Sequence, residues 1–214
     1  MIKIKVSFSA LVLAGFVTAC IGQTITSVTI GKQQWQSMNL DVSTFRNGET
    51  IPEAKTAQAW QEAGLLGKPA WCYYQNDPAN GKTFGKLYNW YAVHDSRNLA
   101  PAGWHIADAN EWQTLVDASG GGNSAGGKLK ESGTVNWHSP NSGAVNSAGF
   151  TARPGGLCDT NGRFFTLGNF AVFWTATESG PHSAWARHLS HGDTKVYLDA
   201  MSKGSGFSVR CVKD

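Results

Sequence analysis

The sequence predicts an α+β fold in which a small antiparallel sheet and long ordered loops accompany a few short helices. Three observations support this fold class. The chain contains 25 Gly together with 9 Trp and 10 Phe, a composition typical of short strands and tight turns rather than of a helix bundle. Segments with helical signals lie mainly in the first half, and short apolar or alternating segments lie in the second half. Helices and strands that occupy separate parts of a chain are typical of α+β proteins.

Length and composition limit the possible classes of protein. A chain of 214 residues predicts one domain. A hydrophobic share of 41% with a charged share of 15% excludes a disordered protein. The formal net charge is +3, and it falls to +1 if Lys3 and Lys5 are removed with a leader. Because nucleic-acid binding needs a strongly basic face, we expect no nucleic-acid partner.

The first 19 residues read as an export signal of the lipoprotein type. Lys3 and Lys5 precede an apolar run at 6–17, which is too short to span a bilayer and suits a signal peptide. The run ends in Val-Thr-Ala before Cys20, a pattern typical of cleavage by signal peptidase II and acylation of the cysteine. An ordinary secretory signal is the alternative, and it also exports the protein. We expect a lipoprotein of the bacterial cell envelope or cell surface, held to its membrane through the lipid anchor only.

The first half of the chain contains local signals for a hairpin, a helix and turns. A tether at 20–26 precedes the single domain at 27–214. Alternating residues on both sides of Gly31-Lys32 predict a hairpin, and segment 56–63 predicts a short helix that ends at Gly64. Segment 87–94 fits a strand or a helix, and its periodicity does not decide between them. The hairpin strands are expected at 28–30 and 34–38, a buried strand at 71–74 and a turn at 76–81.

The clearest helix signal is a capping box. Asp108 is a good N-cap, Glu111 follows three residues later, and the helix is expected from Ala109 to about Ala118. Trp112, Leu115 and Val116 fall on one face of this helix, so that face is expected to pack on the core. A Gly-rich loop at 119–127 and a polar loop at 128–149 follow it. Strands are then expected around 164–165, 172–175, 184–189, 195–198 and 206–212.

Several blocks of the sequence, in this order, resemble one family of exported bacterial proteins. The blocks are Ile30–Trp35 with Asn39-Leu40, Gly85–Val93, Pro101–His105 with Glu111-Trp112, Gly126–Glu131, Gly149–Thr151 with Pro154–Gly156, Trp174–Glu178 and Gly206–Asp214. Together they resemble the Fibrobacter succinogenes major paralogous domain from about residue 25 to the end of the sequence.

This resemblance implies a fold and one pair of cysteines. The family looks like a branch of the C-type-lectin-like fold, related to formylglycine-generating enzymes. In that fold the terminal strands are neighbours, two helices flank a small sheet, and a long loop region carries the ligand site. Relatives carry Cys at the positions of Cys72 and Cys211, so the resemblance implies a disulfide between them and leaves Cys158 as a free thiol.

Catalysis is not expected from these residues. The sequence contains no Gly-x-Ser-x-Gly, His-Glu-x-x-His or P-loop motif. Formylglycine-generating enzymes use a pair of cysteines that bind copper, and Cys211 stands alone in its part of the sequence. An enzyme of that type is therefore the remote alternative, and no catalytic residue is predicted.

Two groups of residues are candidates for ligand binding. Asn76, Asp77 and Asn80 offer oxygen ligands that Ca²⁺ prefers, although the same residues make an ordinary turn sequence. Trp60, Trp137 and Trp185 are less clearly core residues than the other tryptophans, and exposed rings of this kind stack on sugars. Each of them could instead anchor a loop in the core.

The expected function is that of an exported, non-catalytic binding module. Its ligand is expected to be a polysaccharide of the envelope or of the extracellular space. This expectation rests on fold analogy, the export signal, the near-neutral charge and the missing catalytic motifs. The alternative is a structural domain of the cell surface whose partner is an envelope protein.

Overall fold

The computed structural model describes residues 25–214. The predicted leader, the lipidation candidate Cys20 and most of the predicted tether lie outside the described residues. Across residues 25–214, no helix combines the length and the apolar character needed to cross a bilayer.

The structure contains short helices and strands joined by long loops, as the α+β prediction requires. The strands are β1 Ser27–Ile30, β2 Gln33–Gln36, β3 Trp71–Cys72, β4 Leu87–Tyr88, β5 Trp104–Ile106, β6 Leu157–Cys158, β7 Phe164–Phe165, β8 Phe170–Gly180, β9 Ser183–Ser190, β10 Val196–Ser202 and β11 Cys211–Lys213. The helices are α1 Ala57–Leu65, α2 Gly81–Phe84, α3 Trp90–Val93, α4 Ala109–Ala118 and α5 Ala125–Leu129, with 3₁₀ turns at Tyr74–Asn76 and Pro78–Asn80.

Two small antiparallel sheets organise these elements. One has the order β1-β2-β11-β5, and Val212 of its third strand lies between Trp35 and His105. The last strand is therefore inserted beside the N-terminal hairpin, as expected for neighbouring terminal strands. The other sheet has the order β10-β9-β8, and its longest strand carries a bulge between Trp174 and Glu178.

Aromatic side chains fill the space between α4 and the sheets. Trp112 meets the rings of Trp35, Phe150 and Phe173 at centroid distances of 5.0, 5.6 and 5.3 Å. Trp112 and Leu115 are fully buried, which confirms the core-facing stripe predicted for this helix. The contacts with Trp35 and Phe150 are edge-to-face, and such contacts favour one packing geometry in addition to burying apolar area.

The capping box and the hairpin form as predicted. Asp108 accepts a hydrogen bond from the Glu111 amide at 2.7 Å, and the Glu111 carboxylate accepts one from the Asp108 amide at 2.9 Å. In the hairpin, Gly31 has φ +60°, a conformation that glycine adopts without steric cost.

Segment 87–94 is both a strand and a helix. Leu87–Tyr88 pairs with Trp71–Cys72, and a helical turn begins at Trp90. Asn89 separates the two, because its Oδ1 atom accepts hydrogen bonds from the amides of Ala70 and Ala92. The predicted strand at 71–74 is correspondingly short, since the chain enters a 3₁₀ turn at Tyr74.

Helix α5 lies where the sequence predicts loop. Its glycines are required by close packing: a Cβ atom on Gly126 would lie 2.6 Å from the Lys195 carbonyl oxygen. A Cβ atom on Gly127 would lie 2.5 Å from the carbonyl oxygen of Gly143. Close tertiary contacts therefore require glycine at these positions, even though glycine has a low intrinsic propensity for helix.

Candidate functional site

A groove beside α1 has the most ligand-like lining of the described cavities. It encloses about 360 Å³, within the usual range of small-molecule sites. We call it the α1 groove. The lining residues with side chains that could contact a ligand are Gln61, Leu65, Tyr91, Asn161, His182 and Ser202. A second cavity of about 360 Å³ lies beside the turn of the N-terminal hairpin, and its lining contains no aromatic side chain.

Helix α1 forms one wall of the groove because Trp60 anchors it. Thr56 caps the helix by accepting a hydrogen bond from the Ala59 amide at 3.1 Å. The buried indole of Trp60 donates to the Gly204 carbonyl at 3.0 Å. Gly64 lies against Gly204, where a Cβ atom would be 3.4 Å from the Gly204 Cα. Gln61 and Leu65 are four residues apart, so they share one face of the helix and both line the groove.

Tyr91 supplies the aromatic surface of the groove. The preceding residue, Trp90, is buried and donates its indole hydrogen to the Thr175 carbonyl at 3.1 Å. Neighbouring residues of a helix point in different directions, so Tyr91 remains half-buried at the groove. Its ring lies over Gly67, where a Cβ atom would be 3.5 Å from the ring carbon Cε1.

The opposite wall is the turn between β6 and β7. The Asp159 carboxylate accepts hydrogen bonds from the amides of Asn161 and Arg163, each at 2.9 Å. Burial opposes ionisation of Asp159, but these hydrogen bonds outweigh it and lower the pKa of the carboxyl. Gln61 donates to the Oδ1 atom of Asn161 at 3.3 Å, so one hydrogen bond joins the two walls.

In the sequence, a lysine that forms an ion pair lies between Ser202 and Gly204, which both line the groove. Lys203 is buried, and its ammonium donates to the Pro181 carbonyl at 3.0 Å and pairs with the Glu178 carboxylate. The same ammonium lies 4.7 Å from the centroid of the Trp90 ring. Its hydrogen bond lowers the pKa of the Glu178 carboxyl. The Lys203 charge is therefore already paired with a carboxylate of this protein rather than offered to a ligand.

The α1 groove combines hydrogen-bonding groups with an aromatic ring and contains no carboxylate among its described lining residues. The amides, hydroxyls and imidazole can donate to and accept from an uncharged polar ligand.

Two of the three tryptophans predicted to bind a ligand are in the core. Trp60 is 2% exposed and Trp137 is 1% exposed, and the Trp137 indole donates to the Ala152 carbonyl at 3.0 Å. The prediction that these two rings stack on a sugar is therefore wrong, because their faces are covered by protein. Trp185 is half-buried on β9, opposite Ala200 of the edge strand β10, and it does not line the α1 groove.

The residues predicted to bind calcium are engaged in turns. Asp77 accepts a hydrogen bond from the Ala79 amide at 2.9 Å, and the Asn80 side chain donates to the Tyr74 carbonyl at 2.9 Å. Asn76 is exposed and has φ +54°. Within residues 25–214, no group of three or more His, Cys, Asp or Glu side chains is arranged to hold a metal ion. Calcium binding at this turn stays a prediction.

The implied disulfide between Cys72 and Cys211 is wrong for this structure. The described cysteines Cys72, Cys158 and Cys211 are all buried free thiols. Cys72 lies on β3 in a small cluster that also contains Cys158, whereas Cys211 belongs to the larger core around Trp174. Burial raises the pKa of the Cys211 thiol to about 12. Cys72 lies on β3, which pairs with β4, whereas Cys211 lies on β11, which is between β2 and β5 in another sheet.

Sequence reasoning missed the most useful aromatic residue of the groove. Tyr91 follows Trp90 directly, and neither of them is among the residues predicted to bind a ligand. The available signal was helical periodicity, since two adjacent bulky rings on a helix cannot both face the same core. Gln61 and Leu65 carried a similar signal in their spacing of four residues.

Comparison with known proteins identifies the family. No curated protein and no solved structure matched the chain. The family model described as Fibrobacter succinogenes major domain matches residues 28–213. Since this match covers nearly all of the domain expected at 27–214, the chain belongs to the Fibrobacter succinogenes major domain family.

Proposed function

We propose that this protein is an exported, lipid-anchored binding module, without catalytic activity, that holds a polysaccharide of the envelope or extracellular space in the α1 groove. The observation that carries this proposal is the lining of the groove, in which Tyr91 lies among uncharged polar side chains. The C-type-lectin-like relationship, export and acylation of Cys20 belong to the same proposal.

The chemistry of the lining favours a sugar over a charged ligand. A sugar ring presents hydroxyl groups at its edge and an apolar face, and an amphipathic site with a few placed polar groups suits both. Gln61 and Asn161 offer amides, Ser202 offers a hydroxyl and Tyr91 offers a ring face. Lys203 is already paired with Glu178, so it supplies no free charge that would favour an acidic ligand.

The proposal is tested by measuring polysaccharide binding to the mature protein in Ca²⁺ and in EDTA. We expect binding in both buffers, and we expect Tyr91→Ala to weaken it by about tenfold or more, since stacking on a ring contributes roughly 1–3 kcal/mol by analogy with other ring stacks. Tyr91→Phe keeps the ring and should retain most of the affinity. Trp185→Ala is the matched control, because it removes a half-buried aromatic residue outside the groove.

The outcomes separate the competing sites. Loss of binding in Trp185→Ala but not in Tyr91→Ala would move the site to the three-stranded sheet. Loss in EDTA would favour the calcium prediction for Asn76, Asp77 and Asn80. Absence of binding to every polysaccharide in both buffers would reject the proposed function.

A protein partner is the second candidate, and exposed leucines favour it. Leu65 is 81% exposed and Leu66 is 56% exposed at the end of α1. Adjacent exposed apolar side chains at the rim of a groove are a common feature of interaction surfaces. Co-purification of an envelope protein that Leu66→Ser abolishes would support this candidate.

Lipid anchoring is tested separately from ligand binding. Replacing Cys20 by Ala should release the protein from the membrane fraction. Unchanged fractionation of Cys20→Ala would reject the anchor and leave the ordinary secretory signal.

A further inference from the structure

The cavity beside the N-terminal hairpin lies where the hairpin turn meets the end of α4, and we call it the hairpin cavity. It encloses about 360 Å³ and shares no lining residue with the α1 groove. Gly31 permits the close approach of the turn, since a Cβ atom on it would lie 3.1 Å from the Ala118 Cβ. The polar side chains of the lining are those of Thr29, Ser119, Lys128 and Ser147.

The hydroxyl of Ser119 is a buried polar group without a protein partner. The residue is 2% exposed, and none of the described residues forms a hydrogen bond with its Oγ atom. Its backbone is satisfied, because the Ser119 amide donates to the Leu115 carbonyl at 3.0 Å at the end of α4. A buried hydroxyl that bonds to nothing costs free energy, so this atom beside a cavity indicates a binding position for a hydrogen-bonding partner.

Lys128 brings a positive charge to the same place. Its ammonium lies 3.1 Å from the position that a Cβ atom on Gly120 would occupy, and Gly120 follows Ser119 directly. The described lysines that form ion pairs are Lys55, Lys86 and Lys203. Lys128 is not one of them, so its charge is available to a ligand.

Negative charge near the cavity is weaker than the charge of Lys128. The lining contains no Asp or Glu among the described residues, and the exposed Asp117 accepts a hydrogen bond from Gln113 at 2.8 Å. The carbonyl end of a helix carries roughly half a negative charge, and the last carbonyls of α4 already accept from the amides of Gly120 and Gly121. The full positive charge of Lys128 exceeds this partial charge, so the lining favours an anion.

We propose that the hairpin cavity binds the oxyanion group of a small ligand, either a carboxylate or a phosphate. The Lys128 ammonium supplies the charge, and the lining hydroxyls donate hydrogen bonds to the oxyanion. Hydrogen bonds between a cation and an oxyanion are about twice as strong as those between neutral groups. This site takes a charged ligand, whereas the α1 groove is proposed to take an uncharged one, so neither proposal depends on the other.

The test titrates the full mature chain carrying Cys20→Ala with inorganic phosphate, glucuronate and glucose in separate experiments. Glucuronate and glucose are a matched pair, because they differ only in a carboxylate that replaces a hydroxymethyl group. We expect at least one of the two anions to shift the backbone amide NMR signals of Gly31, Ser119 and Ser147, and we expect glucose to leave them unchanged. The anion that binds more tightly identifies the ligand group as phosphate or carboxylate.

Variants assign the binding to the named side chains. Lys128→Met should weaken anion binding by about tenfold or more, because it removes a charged donor, and Lys128→Arg should retain most of the affinity. Lys68→Met is the matched control, since Lys68 is an exposed lysine outside the cavity lining. Ser119→Ala should weaken anion binding without lowering the melting temperature, because the hydroxyl that it removes has no protein partner.

Three results would overturn the proposal. These are unchanged signals with both anions, equal shifts with glucose, and equal losses of affinity in Lys68→Met and Lys128→Met. A lower melting temperature in Ser119→Ala with unchanged anion affinity would likewise reject the role assigned to its hydroxyl. None of these results bears on sugar binding in the α1 groove, since Tyr91→Ala tests that separately.

Discussion

The region around α4 and the loop region at 130–153 are stabilised in different ways. Around α4, backbone groups satisfy one another in a capped helix and in paired strands, and the aromatic cluster at Trp112 fills the space between them. In the 130–153 region the chain is irregular, and buried cationic side chains donate hydrogen bonds to its carbonyls.

Lys130 and Arg210 are buried cations that connect the irregular region to neighbouring strands and turns. The Lys130 ammonium donates to the carbonyls of Ser142, Ser190 and Asp193 at 3.0, 2.8 and 2.8 Å. The Arg210 guanidinium donates to the carbonyls of Gln36, Phe150 and Thr151 at 2.7, 2.8 and 2.9 Å. It also donates to the Asn39 side chain at 2.8 Å.

This difference between the two regions shows that a buried cation stabilises segments whose carbonyl groups lack backbone partners. A helix or a sheet pairs its own carbonyls, so apolar side chains suffice to pack it. A buried loop leaves carbonyls without backbone partners, and each unpaired carbonyl costs free energy. One lysine or arginine supplies several donors from a single side chain, and the Lys130 ammonium also lies 5.4 Å from the centroid of the Trp137 ring.

The largest expected effect comes from removing the donors of Arg210. Arg210→Met keeps most of the volume but leaves four acceptors without this donor, so we expect a loss of about 4 kcal/mol in the free energy of unfolding. Urea denaturation measures it. Arg163→Met is the matched control, because that side chain is 66% exposed and pairs with Asp159, and its removal should cost below about 1 kcal/mol. Equal effects of the two substitutions would contradict the role assigned to buried donors.

A smaller effect is expected at the N-terminus of α4. Asp108→Ala removes the acceptor of the Glu111 amide, and loss of an N-cap costs about 1 kcal/mol. Asp108→Asn retains a capping oxygen and should recover most of this loss. Thermal unfolding of the three proteins gives the comparison, and a loss in Asp108→Ala as large as that in Arg210→Met would mean that α4 depends on polar contacts as strongly as the loop region does.

The smallest effect depends on pH and lies at His105. Its Nε2 and Nδ1 atoms lie 2.6 Å from Glu111 and 2.8 Å from Asp214. Partial burial opposes the charged imidazole, but hydrogen bonds to the two carboxylates outweigh it and raise the pKa of His105. A raised pKa in the folded state stabilises the protein at pH values below about 6.5, and this contribution is lost as the pH rises through the folded value.

His105→Gln should therefore lower the melting temperature more at about pH 6 than at about pH 9. The side chain is 43% exposed, so we expect a difference below about 1 kcal/mol. Melting curves of both proteins at the two pH values measure it. A larger loss at the alkaline pH would show that the imidazole acts as a neutral packing group instead.

How well each element is predicted depends on how far apart in the sequence the residues that stabilise it are. Helix α4 is predicted to the residue and the N-terminal hairpin to within two residues, because a capping box and a glycine turn are complete within a few positions. The start of α1 is predicted for the same reason, although the helix continues past Gly64 to Leu65. The split of segment 87–94 depends on Asn89, whose partners lie at Lys68 and Ala70 as well as nearby.

The candidate site was only partly predictable. The sequence shows that aromatic side chains are abundant, and it predicts three tryptophans as ligand-binding residues. Which ring meets solvent depends on contacts far along the chain. Trp60 is buried because its partner is Gly204, which is 144 residues away in the sequence.

By itself, the sequence determined the fold class, the family and the elements that local hydrogen bonds and turns specify. Only the tertiary structure decided that Cys72 and Cys158 share one hydrophobic cluster, that Tyr91 rather than Trp60 lines the groove, and that Gly126 belongs to a helix. The physical reason is the same in each case. Local signals act through contacts within about one turn or hairpin, whereas burial and pairing between distant strands depend on where the whole chain brings them.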